Sequence, residues 1–245
     1  MILFNRRFTP SWLMAILTFV GLCLFISLGL WQLERAAYKD DIKLRFEARL
    51  DADYRQFSAG DSASEPDWSE MEFRKLILQG QYDPGQSMLI DNRIHKGEAG
   101  YHVLTPFKLN GGDNIVLVNR GWVALGNSRD HLPLIKEPAV DGMIRGIVSI
   151  PRSGGFRMGK VSLSDEWPQV IPFVDIDAMQ AQFQNHLLPM TLWLDPEQAG
   201  YYRRHWNPVW ADPEKSRAYA WQWFSFAAIS VVLFVGLNLR RVVNE

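Results

Sequence analysis

Histidine is the residue type in this 245-residue chain best suited to metal binding or acid–base chemistry, and its five copies are scattered. They are His95, His102, His131, His186 and His205. None pairs with another at the spacing of H-x-x-x-H or H-E-x-x-H, and the one cysteine, Cys23, lies inside an apolar run. No G-x-S-x-G motif is present, and the Gly-Gly pairs at 111–112 and 154–155 are typical of turns. We therefore expect a protein without a metal site or catalytic residues, which is not an enzyme.

Residues 89–123 carry an unusual run of asparagine, arginine and tryptophan. Two Asn–Arg pairs occur there, Asn92-Arg93 and Asn119-Arg120, and the second is followed by Gly121-Trp122. One interpretation is a hairpin stabilised by turn asparagines and by an ion pair between an arginine and a carboxylate. The other interpretation is a binding surface, and the residues alone leave both open.

Residues 201–224 combine aromatic and basic side chains at high density. Trp and Tyr favour the headgroup layer of a membrane, where basic residues pair with phosphates, so the segment could be an interfacial anchor. The same mixture would suit a flat amphipathic ligand whose carboxylates point outward. The side chains concerned are Tyr201, Tyr202, Arg203, Arg204, Trp206, Trp210, Lys215, Arg217, Tyr219, Trp221 and Trp223.

Two apolar runs of membrane-spanning length enclose the rest of the chain. The first extends from Trp12 to about Trp31 and the second from Ala218 to about Leu237, and neither contains Lys, Arg, Asp or Glu. A helix of about 20 apolar residues crosses the ~30 Å hydrocarbon core of a bilayer. The sequence therefore predicts transmembrane helices at 12–31 and 218–238.

The charges beside the two runs predict their orientation. Arg6 and Arg7 precede the first run, and Arg240 and Arg241 follow the second. Short basic termini stay in the cytoplasm, so we expect 1–11 and 239–245 inside and 32–217 outside. The first run lacks a convincing cleavage site and the chain lacks an Arg- and Ser-rich leader, which favours an uncleaved anchor in a bacterial inner membrane with a periplasmic domain.

Composition narrows the class of partner. The 26 basic and 27 acidic residues nearly cancel, which gives no support for binding nucleic acid. The segment between the runs contains no cysteine, so it forms no disulfide. Its size of roughly 180 residues suits a single domain.

The pattern between the runs predicts a helix followed by short strands. Residues 32–50 lack Gly and Pro and are expected to continue the first helix, and 177–186 resembles a short helix capped by Asp175 or Asp177. Because the strands follow one another without long helices between them, we expect an antiparallel, β-rich α+β domain that resembles a barrel. The predicted strands are Phe73–Gly80, Ser87–Ile90, Tyr101–Leu109, Asn114–Asn119, Val140–Ile150, Gln169–Ile176 and Met190–Leu194.

Five motifs, in this order and with these two runs, resemble the SURF1 family (Surfeit locus protein 1) over nearly the whole chain. They are GLWQLER at 29–35, DNR at 91–93 together with GYHVLTP at 100–106, VLVNRGWV at 116–123, VDGMIRG at 140–146 and YAWQWF at 219–224. The motif residues singled out are Trp31, Gln32, Arg35, Asp91, Asn92, Arg93, Tyr101, Asn119, Arg120, Gly121 and Trp122.

The resemblance implies an assembly factor for haem-copper terminal oxidases, mainly cytochrome c oxidase, which assists maturation of catalytic subunit I and insertion of haem a. Its implied partners are that subunit, other oxidase assembly factors and membrane lipids. Haem-binding members are similar except for a histidine at the position of Ser216, and a serine hydroxyl is a poor ligand for haem iron. The residues assigned to a haem a site are Arg217, Lys215 and Arg204 for the propionates, Tyr219, Trp221 and Trp223 as stacking walls, and His205 as the nearest imidazole.

Two other classes of protein have the same layout of two spans around an outer domain. One is a membrane-anchored periplasmic sensor or binding module without enzymatic activity, for which about five residues after the second span are too few to form a cytoplasmic output module. The other is a membrane-tethered enzyme, for which the sequence gives no catalytic constellation.

Overall fold

The structure is a computed structural model that describes residues 2–3, 6–63, 66–126, 129, 131–138, 142–151, 161, 163–164, 166–204, 206 and 212–241. The chain divides into two compact units. The helical unit contains Met1–Phe46 and Pro208–Glu245, and the barrel unit contains Glu47–Asn207.

Long helices lie near both ends of the described chain, and strands fill its middle. The helices are α1 (Trp12–Leu50), α2 (Ala59–Ala63), α3 (Trp68–Met71), α4 (Ile176–Gln180) and α5 (Pro213–Asn238), with one 3-10 turn at Pro84–Gln86. The strands are β1 (Ile2–Leu3), β2 (Arg6–Phe8), β3 (Arg55–Phe57), β4 (Lys75–Tyr82), β5 (Met88–His95), β6 (Glu98–Leu109), β7 (Asn114–Ala124), β8 (Gly142–Ser149), β9 (Gln169–Ile171), β10 (His186–Leu194) and β11 (Leu239–Arg241).

Both long helices are long and apolar enough to cross a membrane. Large apolar side chains point outward from them, such as Phe19 on α1 and Val232 on α5, which are 67% and 69% exposed. Such a surface is typical of a helix surrounded by lipid and unusual in water. The helix α1 continues without a break to Leu50, as expected for a stretch that lacks Gly and Pro.

The two long helices pack antiparallel to each other. The ring of Phe25 stacks on that of Trp223 at 6.0 Å. One turn later on α1, Gly29 faces the ring of Phe224, and a Cβ at Gly29 would come within 2.5 Å of that ring. The missing side chain at Gly29 therefore allows the helices to approach closely.

The ends of the helical unit join in a small sheet. The order of its strands is β1-β2-β11, and the antiparallel register places Arg7 opposite Arg240 and Arg6 opposite Arg241. At the other end of the pair, the Asp212 side chain caps α5 by accepting from the backbone N–H of Glu214. Because of this cap, α5 begins five residues before the apolar run.

Five strands of the barrel unit close into a barrel. The strands pair in the order β4-β8-β10-β7-β6, and β6 returns to β4. The strand β3 adds to β4 outside this ring, β5 adds to β6, and β9 adds to β5. Apolar side chains fill the interior, among them Leu76, Leu78, Phe107, Leu109, Val116, Val118, Ile144, Val148, Met190 and Leu192. The β-rich, barrel-like domain expected from the sequence is confirmed.

The prediction that this domain is antiparallel is wrong, because its sheet is mixed. The pairs β3–β4, β5–β9 and β7–β10 are parallel. Parallel neighbours need a crossover connection, which α2 and α3 provide between β3 and β4 and which residues 125–185 provide between β7 and β10. Alternation of apolar residues predicts strands but does not identify their partners.

Several helix and strand boundaries also differ from those predicted. The short helix expected at 177–186 ends at Gln180, and β10 begins at His186. Its cap is Asp175, whose side chain accepts from the N–H of Ala178. The strand expected at 169–176 ends at Ile171, whereas β5 and β7 continue beyond their predicted ends to His95 and Ala124.

Candidate functional site

Two irregularities on either side of β6 shape the candidate site in the barrel unit. On β5, the pairing of Ile90 with His102 is followed by that of Arg93 with Gly100. Two residues of β5, Asp91 and Asn92, therefore lie opposite a single residue of β6. This is a β-bulge, and Asn92 adopts a positive φ of 58°, which asparagine tolerates better than most residues. The bulge keeps Arg93 and His102 on the same face of the sheet.

The second bulge lies on β7, at Arg120. Val103 pairs with Gly121 and Leu104 pairs with Asn119, so Arg120 is the extra residue. Gly121 has a φ of 124°, and a Cβ there would come within 2.8 Å of the Arg203 carbonyl oxygen. Only glycine fits such a conformation and such a close approach.

The segment after β10 crosses this second bulge. Trp122 and Arg203 exchange two backbone hydrogen bonds, of 2.8 Å from the Trp122 N–H and 3.2 Å from the Arg203 N–H. The guanidinium of Arg203 lies 5.8 Å from the centre of the Trp122 ring. The sequence motif around 120–122 thus holds a distant part of the chain in place.

Trp122 is the centre of the outer face of β5–β7, which is the face turned away from the barrel interior. Its indole N–H donates to the Arg93 carbonyl at 2.8 Å, and its ring lies 5.2 Å from that of His95. A Cβ at Gly100 would come within 2.6 Å of the indole, so this glycine makes room for the ring. Trp122 is only 5% exposed.

A second tryptophan, Trp206, covers the adjacent part of this face. Its ring stacks on Trp193 at 5.3 Å and meets the edge of His102 at 5.7 Å, and its indole N–H donates to the Leu194 carbonyl at 2.7 Å. Sequence reasoning placed Trp206 only in a general aromatic belt, named His102 only as one of five scattered histidines, and did not name Trp193. The alternation of side chains along β10 and β6 could have predicted that Trp193 and His102 both face outward.

His102 is held in its neutral form. Burial, followed by the positive charges of Arg93 and His95, lowers the pKa of His102 to about 4. Asn119 accepts from the Gly121 N–H through Oδ1, so its amide nitrogen faces His102 Nδ1 at 3.2 Å and donates to it. This bond leaves the ring proton of His102 on Nε2.

Arg120 points into one end of the barrel and is 3% exposed. It donates to the Lys136 carbonyl at 2.7 Å and to Thr105 Oγ1 at 3.3 Å, and it lies 5.8 Å and 5.1 Å from the ring centres of Tyr82 and Tyr202. Burial lowers the pKa of its guanidinium group, whose N–H groups still have hydrogen-bond acceptors in Lys136 and Thr105. Tyr101 is buried on the same side of β6. Arg120 therefore organises the end of the barrel.

Arg204, predicted to contact haem propionates, lies in the barrel unit and bonds to backbone. Its guanidinium donates to the carbonyls of Arg120 at 2.9 Å, of Asp195 at 2.9 Å, and of Gln198 and Ala199. The other residues of the predicted haem site belong to the helical unit, except His205, which lies outside the described residues, as does Trp210 of the aromatic belt.

A polar cluster lies at the N-terminal end of α5 in the helical unit. Lys39 Nζ donates to Ser216 Oγ and to the Asp212 carbonyl, both at 3.0 Å. Arg217 forms ion pairs with Asp40 on α1 and with Glu214. Ser216 is 3% exposed, whereas Lys39 is half-buried, so the bond between them lies at the edge of the buried region.

The remaining predicted residues of this unit lie on the surfaces of the two long helices. Lys215, Tyr219 and Trp221 are exposed on α5, and Trp223 packs against Phe25. On α1, Gln32 is half-buried, and the guanidinium of Arg35 lies 5.4 Å from the centre of the exposed Trp31 ring. The structure brings Lys215, Arg217 and the aromatic residues together on one helix, and their role in binding stays a prediction.

The residues present do not fit a haem iron at position 216. The Ser216 hydroxyl, already a weak ligand, accepts a hydrogen bond from an ammonium group, and neither apolar run contains histidine. Within the described part of the chain, no group of three or more His, Cys, Asp or Glu side chains could hold a metal ion.

Comparison with known proteins gives a consistent result. The family model described as "SURF1 family" matches residues 19–228. A SURF1-like protein of Monosiga brevicollis is 25% identical over 87% of this chain and 83% of its own length. A SURF1-like protein of Rickettsia felis is 31% identical over 47% of both chains.

A relative with a functional name is the "Cytochrome oxidase assembly protein SHY1" of Saccharomyces cerevisiae. It is 31% identical over 97 residues, which are 40% of this chain and 24% of the yeast protein. The yeast and Rickettsia matches therefore each cover less than half of the relative. The family model, in contrast, covers most of this chain, including most of both apolar runs and the whole barrel. The chain belongs to the SURF1 family.

Proposed function

We propose that this protein is a membrane-anchored assembly factor, without enzymatic activity, for a haem-copper terminal oxidase such as cytochrome c oxidase. The observation that carries the proposal is the family match over residues 19–228, together with the assembly role named for the yeast relative. Its partners in this proposal are catalytic subunit I and other oxidase assembly factors. The exposed side of α5, which includes Tyr219 and Trp221, is one described surface available for such contacts.

The proposed location is a bacterial inner membrane with residues 32–217 in the periplasm. Two arguments support it. The helices α1 and α5 present apolar surface over the length of a bilayer. The pairing of β2 with β11 brings the basic residues at 6–7 and 240–241 to the same end of the helix pair, as expected if both lie in the cytoplasm.

The proposed role is maturation of the catalytic subunit, at the stage when haem a is inserted, without an iron bond from this chain at position 216. The stage follows from the family's implied role, and the lack of an iron bond is supported by the hydrogen bond between Lys39 and Ser216, because an ammonium group beside the hydroxyl opposes binding of a cationic iron centre. Assistance then consists of contacts with polypeptide and lipid, which need no bound cofactor.

Copurification tests the proposal. The full chain, tagged and extracted from its native membranes in a mild detergent, is expected to carry catalytic subunit I, with more subunit recovered when oxidase assembly is blocked by withholding copper. A tagged membrane protein of similar size with two spans serves as the control. Absence of the subunit from the eluate, in the presence of normal expression of both proteins, would contradict the proposal.

A further inference from the structure

Arg93 has a guanidinium nitrogen that lacks a hydrogen-bond partner within the described part of the chain. Its Nε atom is buried and has no hydrogen-bond partner among the described residues, although the residue as a whole keeps some accessible surface. An enclosed, unpaired donor on a charged group is unfavourable, because it loses its hydrogen bonds to water and gains none from the protein. The fold maintains Arg93 there through the bulge at Asp91–Asn92 and through the bond from Trp122 to the Arg93 carbonyl.

The nearest acidic group is already engaged. Asp91 favours the charged form of Arg93, but its carboxylate forms an ion pair with Arg129. Burial lowers the pKa of Arg93, and this effect outweighs the attraction of Asp91. The charge on Arg93 is therefore incompletely neutralised by the described part of the protein.

The surroundings of Arg93 favour an anion. Its neighbour Trp122 carries a second cation, Arg203, on its ring, and Arg203 is exposed. The neutral imidazole of His102 and the ring of His95 lie on the same face. A guanidinium group can hold a carboxylate through paired N–H donors, so Arg93 and the exposed Arg203 give this face the chemistry to bind an anion.

We propose that Arg93 is the centre of a carboxylate-binding site on the outer face of β5–β7, with Arg203 as the second cation. The ligand contributes one carboxylate. Two sources have this chemistry, a free small carboxylic acid and a glutamate side chain of a partner polypeptide. The site stands on Arg93 and its contacts, and it is independent of the proposed role in oxidase assembly.

The test measures binding to the full chain in detergent. Succinate is titrated by calorimetry and by the NMR shifts of the Trp122 indole N–H, and succinamide is its uncharged control. A tripeptide, Gly-Glu-Gly with blocked ends, is compared with Gly-Gln-Gly in the same way. We expect one of the two carboxylates to bind, and the source is identified by whether succinate or the glutamate peptide binds more tightly.

Variants assign the binding to Arg93. Replacement Arg93→Gln removes a charge-assisted hydrogen bond and should weaken binding by about tenfold or more. Arg93→Lys keeps the charge but loses the planar pair of donors, so it should bind more weakly than wild type and more tightly than Arg93→Gln. Arg55→Gln, which removes an exposed arginine on β3, is the matched control and should leave binding unchanged.

Two results would overturn the proposal. One is failure of both succinate and the glutamate peptide to bind to a chain whose Trp122 signal shows native folding. The other is binding of equal strength to wild type, Arg93→Gln and Arg55→Gln. Since Arg93→Gln removes an unpaired buried cation, its stability should not fall below that of wild type, and an unfolded variant is not expected.

Discussion

The replacement Gly121→Ala should destabilise the barrel unit strongly. Gly121 has a φ of 124°, in a region that residues with a side chain rarely adopt. The added Cβ would also come within 2.8 Å of the Arg203 carbonyl oxygen and of Tyr202 Cβ. Backbone is stiffer than the far end of a side chain, so the segment around Arg203 has to move away.

The expected loss of stability has two parts, the strain in the backbone and the hydrogen bonds that break. The strained conformation costs about 1–3 kcal/mol. Displacement of the segment breaks the two backbone hydrogen bonds between Trp122 and Arg203, each with a net value of about 1 kcal/mol. The total loss in the free energy of unfolding is therefore about 3–5 kcal/mol.

The assay is urea unfolding of the detergent-solubilised full chain, monitored by tryptophan fluorescence. The matched control is Gly111→Ala, since Gly111 also has a positive φ, of 81°, but a Cβ added there would meet no atom within 4 Å beyond its immediate chain neighbours. It should lose only about 1 kcal/mol. The reasoning is refuted if Gly121→Ala loses no more stability than Gly111→Ala.

Three further changes have defined outcomes. The pKa of His102 is about 4 in the folded protein and about 6.5 in the unfolded chain, so the free energy of unfolding should fall by about 3 kcal/mol as pH drops from 6.5 to 4. In urea unfolding, the stability of His102→Gln should depend less on pH than that of wild type. Gly29→Val should lower the thermal stability of the helical unit by about 1–3 kcal/mol, since it collides with Phe224, and an unchanged melting temperature would contradict this packing. The single variants Lys39→Met and Ser216→Ala and their double variant should show a coupling energy of about 1 kcal/mol in the same melting assay, and additive effects would disprove the bond.

The sequence predicted elements better than their arrangement. The charge-free runs beginning at Trp12 and Ala218 predicted both long helices, because about 20 apolar residues without a charge are typical of a helix able to cross a membrane. The parallel pairing of β7 with β10 was missed because His186 and Asn114, which are partners in the sheet, are far apart in the chain and their pairing leaves no local pattern.

In the candidate site, too, the sequence predicted important residues but not their distant partners. The motif from Asn119 to Trp122 was recognised, but glycine is needed at position 121 because of Arg203, about eighty residues later. Arg204 was predicted to bind an anion because of its charge. The sequence did not indicate that its guanidinium donates to backbone carbonyls. Ser216 drew attention as a departure from the family, and only the structure identified Lys39 as its partner.

The central claim, a role in assembly of a haem-copper oxidase, is tested most directly by the oxidase itself. Membranes from a strain that lacks this gene should show reduced haem a absorbance and reduced cytochrome c oxidase activity, with normal succinate dehydrogenase activity. Both should return when the wild-type gene is supplied. Normal haem a absorbance together with normal oxidase activity in the deletion strain would contradict the account.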